Sequence, residues 1–143
     1  MSEQQGSADF KISQGLTPAT LDHVQQVALG LMDQVGVPDG QRHAVKVVIE
    51  ELCTNILEHS HATWMELGLR RQGQGLMVAI ADDGLPFDPS PLMGEAPSSA
   101  RLKRSQERHL GLYMISSLTR GVHYFRDEIG VNVIELEINP EAA

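Results

Sequence analysis

With 143 residues and an apolar fraction of 41%, the chain is long enough and apolar enough to fold as one globular domain, residues 1–143, with its own core. Its net charge of −8 argues against direct contact with nucleic acid or with an anionic membrane surface. Its single cysteine, Cys53, excludes an internal disulfide framework, and neither a signal peptide nor a membrane-length apolar run is visible, so we expect a cytoplasmic protein.

The first predicted elements are a short strand and a helix. Phe10 and Ile12 alternate with polar neighbours, as in a strand. Thr17 and Pro18 predict a helix start, because a capping hydroxyl is followed by proline at the first helical position. Apolar residues then recur at helical spacing, and Gly36 predicts the end of the helix.

A second helix is predicted from near Asp39 to about Ser60. Its apolar stripe fills a sector roughly 100° wide and consists of Val45, Val48, Ile49, Leu52 and Ile56. Glu51 and Asn55 lie together on one border of this stripe, because residues four apart are helix neighbours, whereas Glu50 points to water. The pair could form the wall of a pocket or could be a solvated rim of the helix.

The second half of the chain predicts four strands, one helix and a long loop. The loop spans residues 82–109, which contain four prolines and no sustained period. A helix follows from about Leu110 to Thr119, closed by Gly121. The predicted strands are 65–69, 76–81, 122–126 and 131–138. This order favours a two-layer α/β sandwich, with a mixed, mostly antiparallel sheet and three helices on one face.

The segment ADDGLPFDP (81–89) directly follows the predicted central strand. Asp82 stands at the strand end, where ligands gather in sheets flanked by helices. Gly84 permits a turn and lets a ligand approach the main chain. Asp-Gly and proline are also ordinary turn residues, so this segment alone supports either interpretation.

A glycine enters the predicted third helix directly after a basic stretch of the long loop. Unpaired amides at a helix N-terminus favour an anion. Four of the chain's 11 basic residues fall within residues 101–108, namely Arg101, Lys103, Arg104 and Arg108. The stretch could be a solvated charge run, but its place in a long loop favours a mobile polyphosphate lid at about residues 88–109.

Together, these three stretches resemble the Bergerat-fold ATPase superfamily of gyrase, MutL and histidine kinases, and within it the small anti-sigma-factor serine kinases. Residues 51–55, ELCTN, match the N-box E-x-x-x-N. Residues 82–89, DDGLPFDP, match the first glycine box in the form D-x-G-x-P-F-D-P. Residues 110–112, LGL, match most of the second glycine box, G-x-G-L. The resemblance runs from about Phe10 to Ile138.

The resemblance implies an ATP-dependent protein-serine/threonine kinase that uses Mg²⁺. Glu51 would orient or deprotonate the attacking hydroxyl, and Asn55 would hold Mg²⁺ through its carboxamide oxygen. Asp82 would accept a hydrogen bond from the adenine amino group. The other residues that the resemblance assigns to the nucleotide are Gly84, Pro86, Arg104, Arg108, His109, Leu110, Gly111 and Leu112.

The implied partners are an antagonist protein of the STAS type, which carries the phosphorylatable serine, and a sigma factor. The resemblance also suggests a homodimer. Two positions depart from the family pattern: His109 replaces the first glycine of the second box, and Val131 stands where threonine often begins the last strand. These departures keep an alternative function open, a nucleotide-binding regulatory module that transfers phosphate poorly or not at all.

A metal site at the end of the second helix is a further alternative, carried by Glu58, His59 and His61. Side chains two residues apart on a helix point about 200° apart, so the two histidines cannot easily share one ion. The sequence therefore disfavours this site.

Overall fold

The computed structural model describes residues 5–13, 16–17, 19–72, 75–89, 112–113 and 115–140. Within them lie five strands and two long helices: β1 Gln5–Ile12, α1 Thr20–Val35, α2 Asp39–His59, β2 Met65–Gln72, β3 Gly75–Asp82, β4 Thr119–Arg126 and β5 Asn132–Ile138. A further helical turn covers residues 112, 113, 115 and 116. Neither long helix combines the length and the apolar character that crossing a membrane would require.

The sheet has the strand order β1-β2-β3-β5-β4, and every neighbouring pair of described strands is antiparallel. The predicted mixed sheet is therefore wrong in this respect. β4 does run in the same direction as β3, but β5 lies between them and pairs with both. The last hairpin thus joins the sheet through its second strand, which leaves β4 at the edge.

The core lies between one face of the sheet and the two helices. α1 packs against β1 and β2, and α2 packs against β3 and β5. Alternate residues of the central strands point inward, and the apolar stripe of α2 meets them. Core side chains that are almost completely buried include Met32 of α1 together with Val48, Ile49, Leu52, Leu67, Ile80 and Leu136. This confirms the two-layer α/β arrangement. Fully burying one such side chain contributes about 1.5–3 kcal/mol.

Cys53 also lies on the buried face of α2. Its side chain has no measurable exposure to solvent. Burial, with a smaller contribution from the nearby charge of Asp82, raises the pKa of the Cys53 thiol to about 12. The thiol therefore stays protonated and behaves as a small apolar side chain.

The first helix begins later than the sequence predicts. Thr17 does not cap it, because α1 begins at Thr20 with Ala19 at the N-cap, and Pro18 lies outside the described residues. Instead, the Thr17 carbonyl accepts the Thr20 N–H at 2.8 Å, and the Thr17 N–H donates to the Thr20 hydroxyl oxygen at 3.0 Å. These bonds make a separate turn before the helix. The predicted end is confirmed, since Gly36 caps α1 with φ 76°.

The segment before β4 also differs from its prediction. The sequence predicts a helix that reaches Thr119, but Thr119 is the first residue of β4, where it pairs with Ile138. Gly121 has φ 67° and lies where the β4–β5 register shifts, between Arg120 and His123. The glycine therefore belongs to a strand bulge and does not cap a helix. Its positive φ suits both roles, which is why the sequence alone misplaces it.

Candidate functional site

A cavity of about 160 Å³ opens between the C-terminal half of α2, the segment after β3 and the start of β5. Its lining is mostly apolar, with a few polar side chains. The residues that line it are Leu52, Asn55, Ile56, His59, Ser60, Asp82, Leu85, Pro86, Phe87, Asn132 and Ile134. A concave apolar wall with a few convergent polar groups is the ordinary form of a small-molecule site.

α2 places Asn55 in the cavity wall and Glu51 one helical turn before it. Both side chains are half-buried and Glu50 is exposed, as the helical spacing predicts. Within the described part of the chain, the side chains of Glu51 and Asn55 make no hydrogen bond and no ion pair. Burial raises the pKa of the Glu51 carboxyl, and the neighbouring charge of Glu50 adds to the rise. Glu51 is thus a stronger base than an exposed glutamate.

Asp82 ends β3, lies opposite Asn132 in the sheet register and lines the cavity. Its Oδ1 accepts hydrogen bonds from the Gly84 N–H at 2.7 Å and from Asn132 Nδ2 at 3.3 Å. Burial raises the pKa of the Asp82 carboxyl, and these two hydrogen bonds oppose the rise. Asp82 Oδ2 accepts no hydrogen bond from the residues that the structure describes. This oxygen remains available to a donor on a ligand.

Gly84 is needed for contact with the end of α2. A Cβ added at Gly84 would lie 2.5 Å from both the carbonyl oxygen and the hydroxyl oxygen of Ser60. The same Ser60 carbonyl accepts the Leu85 N–H at 2.8 Å. Gly84 does not line the cavity, whereas Pro86 two residues later does. The glycine therefore fixes the wall of the site by letting the loop approach the helix closely.

Asp83 ties the same loop to the start of β2. Its carboxylate accepts the Thr63 N–H at 2.7 Å, the Trp64 N–H at 3.1 Å and the Thr63 hydroxyl. Slight burial acts to raise the pKa of the Asp83 carboxyl, but the hydrogen bonds together outweigh it and lower the pKa. The two adjacent aspartates thus have different tasks, because Asp82 faces the cavity and Asp83 holds the loop.

Asn132 is the polar cavity residue that the sequence reasoning missed. Val131 stands where the family often has threonine, so the sequence alone predicts the loss of a hydroxyl near the adenine site. In the structure, Asn132 faces Asp82, and only 3% of it is exposed. The signal was available, because Asn132 is in phase with the inward residues Ile134 and Leu136. A polar group is therefore kept beside Asp82.

Several predicted site residues fall outside the described residues. These are Arg104, Arg108, His109, Leu110 and Gly111, together with most of the lid predicted at 88–109. Leu112 is described, and its side chain is fully buried in the core and does not line the cavity. Among the described residues, the structure brings Asn55, Asp82 and Pro86 to one cavity.

The alternative metal site at the end of α2 involves Glu58, His59 and His61. His59 lines the cavity, and His61 lies beyond the end of α2 with φ 57°. Within the described ranges, no group of three or more His, Cys, Asp or Glu side chains could hold a metal ion.

Comparison with known proteins identifies the fold family. A model of the histidine kinase-like ATPase domain matches residues 16–138. The chain belongs to the histidine kinase-like ATPase domain family. This confirms the resemblance carried by the N-box and the two glycine boxes. In this member of the family, the N-box residue Asn55 and the glycine-box residue Asp82 face one cavity.

Curated relatives of this histidine kinase-like ATPase domain include proteins named "Serine-protein kinase RsbW" from Bacillus thuringiensis (strain Al Hakam), Bacillus cereus (strain AH820) and Bacillus anthracis (strain CDC 684 / NRRL 3495). Each is 29% identical over 128 residues, which cover 82% of this chain and 78% of the relative. The similarity thus extends over most of both proteins.

Proposed function

We propose that this histidine kinase-like ATPase domain is an ATP-dependent protein-serine/threonine kinase. The observation that carries the proposal is the pairing of Asp82 and Asn55 in one cavity, with Glu51 a single turn away on the same helix. Asp82 would supply an acceptor in the cavity wall. Asn55 would supply a metal ligand in the same wall, and Glu51 a base one turn before it.

Asp82 would bind the adenine base. Its Oδ2, which no described residue occupies, would accept a hydrogen bond from the exocyclic amino group of adenine. The apolar side chains of Leu52, Ile56 and Ile134 line the same cavity and would cover the faces of the ring. Burial of an aromatic ring between apolar side chains with one directed hydrogen bond gives both affinity and selectivity.

Asn55 would hold the phosphates through Mg²⁺. Its carboxamide lines the cavity and makes no hydrogen bond to the described residues, so its oxygen can serve as a ligand. Mg²⁺ prefers oxygen ligands and keeps several waters, so one protein amide is a sufficient anchor. When bound, the ion would neutralise charge on the phosphates.

Glu51 would act on the nucleophile. A serine hydroxyl oxygen of the partner protein would form a bond to the γ-phosphorus of ATP while the bond from that phosphorus to the β,γ-bridging oxygen breaks and ADP leaves. The hydroxyl proton would pass to the Glu51 carboxylate. The raised pKa of Glu51 suits this task, because a base is most effective when its pKa approaches the working pH.

The partners follow from the resemblance and from the names of the relatives. The relatives are named serine-protein kinases, and the resemblance to anti-sigma-factor kinases supports a specific pair. The phosphorylated partner would be an antagonist protein of the STAS type. The regulated partner would be a sigma factor, which the kinase would release or bind according to the state of the antagonist.

Phosphoryl transfer from labelled ATP to candidate STAS-type proteins of the same organism tests the proposal under single-turnover conditions. We expect Glu51→Ala to lower the transfer rate by about 10²–10⁴-fold while ATP affinity stays near that of the wild type. Glu50→Ala is the matched control, because Glu50 is exposed on the neighbouring position of α2. Equal losses in both variants would contradict the assignment of Glu51 as the base.

A non-catalytic nucleotide-binding module is the second candidate function. The observation that favours it is His109, which stands in place of the first glycine of the second box. This module would bind Mg-ATP and a regulator without transferring phosphate. A wild-type protein that binds Mg-ATP tightly and phosphorylates no candidate partner would establish it.

A further inference from the structure

A polar network surrounds the Asn132 side chain, which donates a hydrogen bond to Asp82. It consists of Tyr124 and Arg126 from β4, Asn132 from β5 and the main chain of Gly84. Asn132 Oδ1 accepts the Tyr124 hydroxyl at 2.7 Å and Arg126 Nη1 at 2.8 Å. Asn132 Nδ2 donates to the Gly84 carbonyl at 2.9 Å and to Asp82 Oδ1 at 3.3 Å. Tyr124, Arg126 and Asn132 lie outside the N-box and both glycine boxes.

All the hydrogen-bonding capacity of the Asn132 side chain is used inside the protein. A carboxamide has two donor hydrogens and an oxygen with two lone pairs. Both hydrogens go to Asp82 and Gly84, and both lone pairs accept from Tyr124 and Arg126. Asn132 therefore has no hydrogen-bonding group left for a ligand, although it lines the cavity. Any effect on a ligand must pass through Asp82.

Arg126 decides which way the Asn132 amide points. The Tyr124 hydroxyl can donate or accept, so it tolerates either end of the amide. The Arg126 guanidinium can only donate, so it requires the amide oxygen on its side. Arg126 Nη1 also donates to the Gly84 carbonyl at 2.9 Å, which ties the loop to the same anchor. The amide nitrogen must then face Asp82.

The direction of the amide determines what Asp82 can offer a ligand. With donors from Asn132 and Gly84 on Oδ1, the carboxylate form is favoured and Oδ2 is a pure acceptor. With the amide reversed, an oxygen would face Oδ1 and a proton on Asp82 would be favoured. A protonated Asp82 could donate to a ligand. The other charged or titratable groups that face or act on Asp82 are Asp83, Cys53, Arg126 and His59.

We propose that Arg126 and Asn132 are positioning residues that hold Asp82 as an acceptor, so that the site selects a purine with a 6-amino group over one with a 6-oxo group. This inference rests on the proposed function, because it concerns the base of the nucleotide bound there. It assigns the choice of base to residues that do not touch the base.

The test compares ATP with inosine triphosphate, whose purine carries a 6-oxo group in place of the 6-amino group. Dissociation constants of both nucleotides are measured with Mg²⁺ across a pH series. We expect the wild type to prefer ATP by about ten- to a hundredfold, the cost of leaving one buried polar group unpaired. Arg126→Met and Asn132→Asp should each reduce this preference by about tenfold. In Asn132→Asp, the preference should also change with pH, because two adjacent carboxyls share a proton.

Arg120→Met is the matched control. Arg120 lies on the same strand as Arg126, and its guanidinium pairs with Glu137 at 2.9 Å. Removing it takes away the same charge without touching the network, so the preference for ATP should stay at the wild-type value. Thermal unfolding of each variant identifies loss of fold, and the exposed position of Arg126 makes Arg126→Met the safer variant.

The outcomes distinguish a failure of the positioning role of Arg126 and Asn132 from a failure of the proposed function. A wild type that prefers ATP, with the preference intact in both Arg126→Met and Asn132→Asp, overturns the positioning role and leaves the proposed function standing. A wild type that binds neither nucleotide overturns the proposed function and the choice of base with it. A reduced preference in Arg120→Met would assign the effect to general charge and would also overturn the inference.

Discussion

At the scale of single residues, the pKa of Asp82 depends on two opposing influences. Burial raises this pKa, and the hydrogen bonds from Gly84 and Asn132 act to lower it. The net effect is a raised pKa, and the ionised form of Asp82 is the one that accepts a hydrogen bond from adenine. We therefore expect ATP affinity to fall as the pH is lowered through this raised pKa, at a higher pH than for an exposed aspartate. Calorimetric titration at a series of pH values measures the fall, and Asp82→Asn should weaken binding and remove this pH dependence.

The raised pKa of the Asp82 carboxyl also makes the free energy of unfolding depend on pH. Because the pKa of Asp82 is higher in the folded than in the unfolded chain, the stabilisation from its protonated form is complete below the unfolded value. It is lost as the pH rises through the folded value. Asp82→Asn should abolish that part of the dependence of the unfolding free energy on pH.

A wild type that binds GTP as tightly as ATP would contradict the adenine role of Asp82.

Gly84 gives a second prediction at this scale. Gly84→Ala would bring a methyl group to 2.5 Å from the Ser60 carbonyl, so the loop must move away from α2. We expect a loss of about 1–3 kcal/mol in the free energy of unfolding, as for other overpacked sites. Urea unfolding measures it.

Gly30→Ala is the contrasting control for Gly84→Ala. Gly30 lies within α1, and a Cβ there meets no atom within 4 Å. Alanine should stabilise the helix by about 0.5–1 kcal/mol. Two glycine-to-alanine changes in one chain should thus have opposite signs. A neutral result for Gly84→Ala would show that the loop is not held against the helix.

At the scale of elements, α2 both builds the core and carries the site. Ile49 is fully buried on the face opposite to solvent, two residues before Glu51. Ile49→Ala should lower the unfolding free energy by about 2–5 kcal/mol, because it removes buried methyl groups and leaves a cavity. Chemical unfolding with and without ATP gives the measurement. The loss should be larger than that from Val47→Ala, since Val47 is only partly buried.

The sequence located α2 within one residue of its observed ends, because strong periodicity acts locally. It also placed Glu51 and Asn55 one turn apart on that helix and Asp82 at the end of the central strand, as the structure has them. It misplaced the start of α1 and the start of β4. In both cases, a local signal fits two structures: Thr17 fits a helix cap or a turn before the helix, and Gly121 fits a helix end or a strand bulge. It missed the contact between Asn132 and Asp82, because the pairing of β3 with β5 joins residues 50 positions apart.

At the scale of the whole molecule, the two layers meet at the cavity, so a ligand there should stabilise the entire fold. A ligand at a hundred times its dissociation constant adds about 2.7 kcal/mol to the unfolding free energy of a two-state domain. We expect ATP with Mg²⁺ to raise the thermal midpoint, and Asn55→Ala to remove the part of the rise that depends on Mg²⁺. An identical rise with and without Mg²⁺ would contradict a metal role for Asn55.

The buried thiol of Cys53 makes this coupling visible without any substitution. A thiol reagent reacts with the thiolate, and Cys53 is both fully covered and protonated in the folded protein. Labelling therefore requires α2 to separate from the sheet, and the labelling rate measures the population of that open form when closing is fast. Since Cys53 is the only cysteine, mass spectrometry of the intact chain follows the reaction at a single position. ATP should slow the labelling in proportion to the occupancy of the cavity, so the chain contains its own reporter of nucleotide binding.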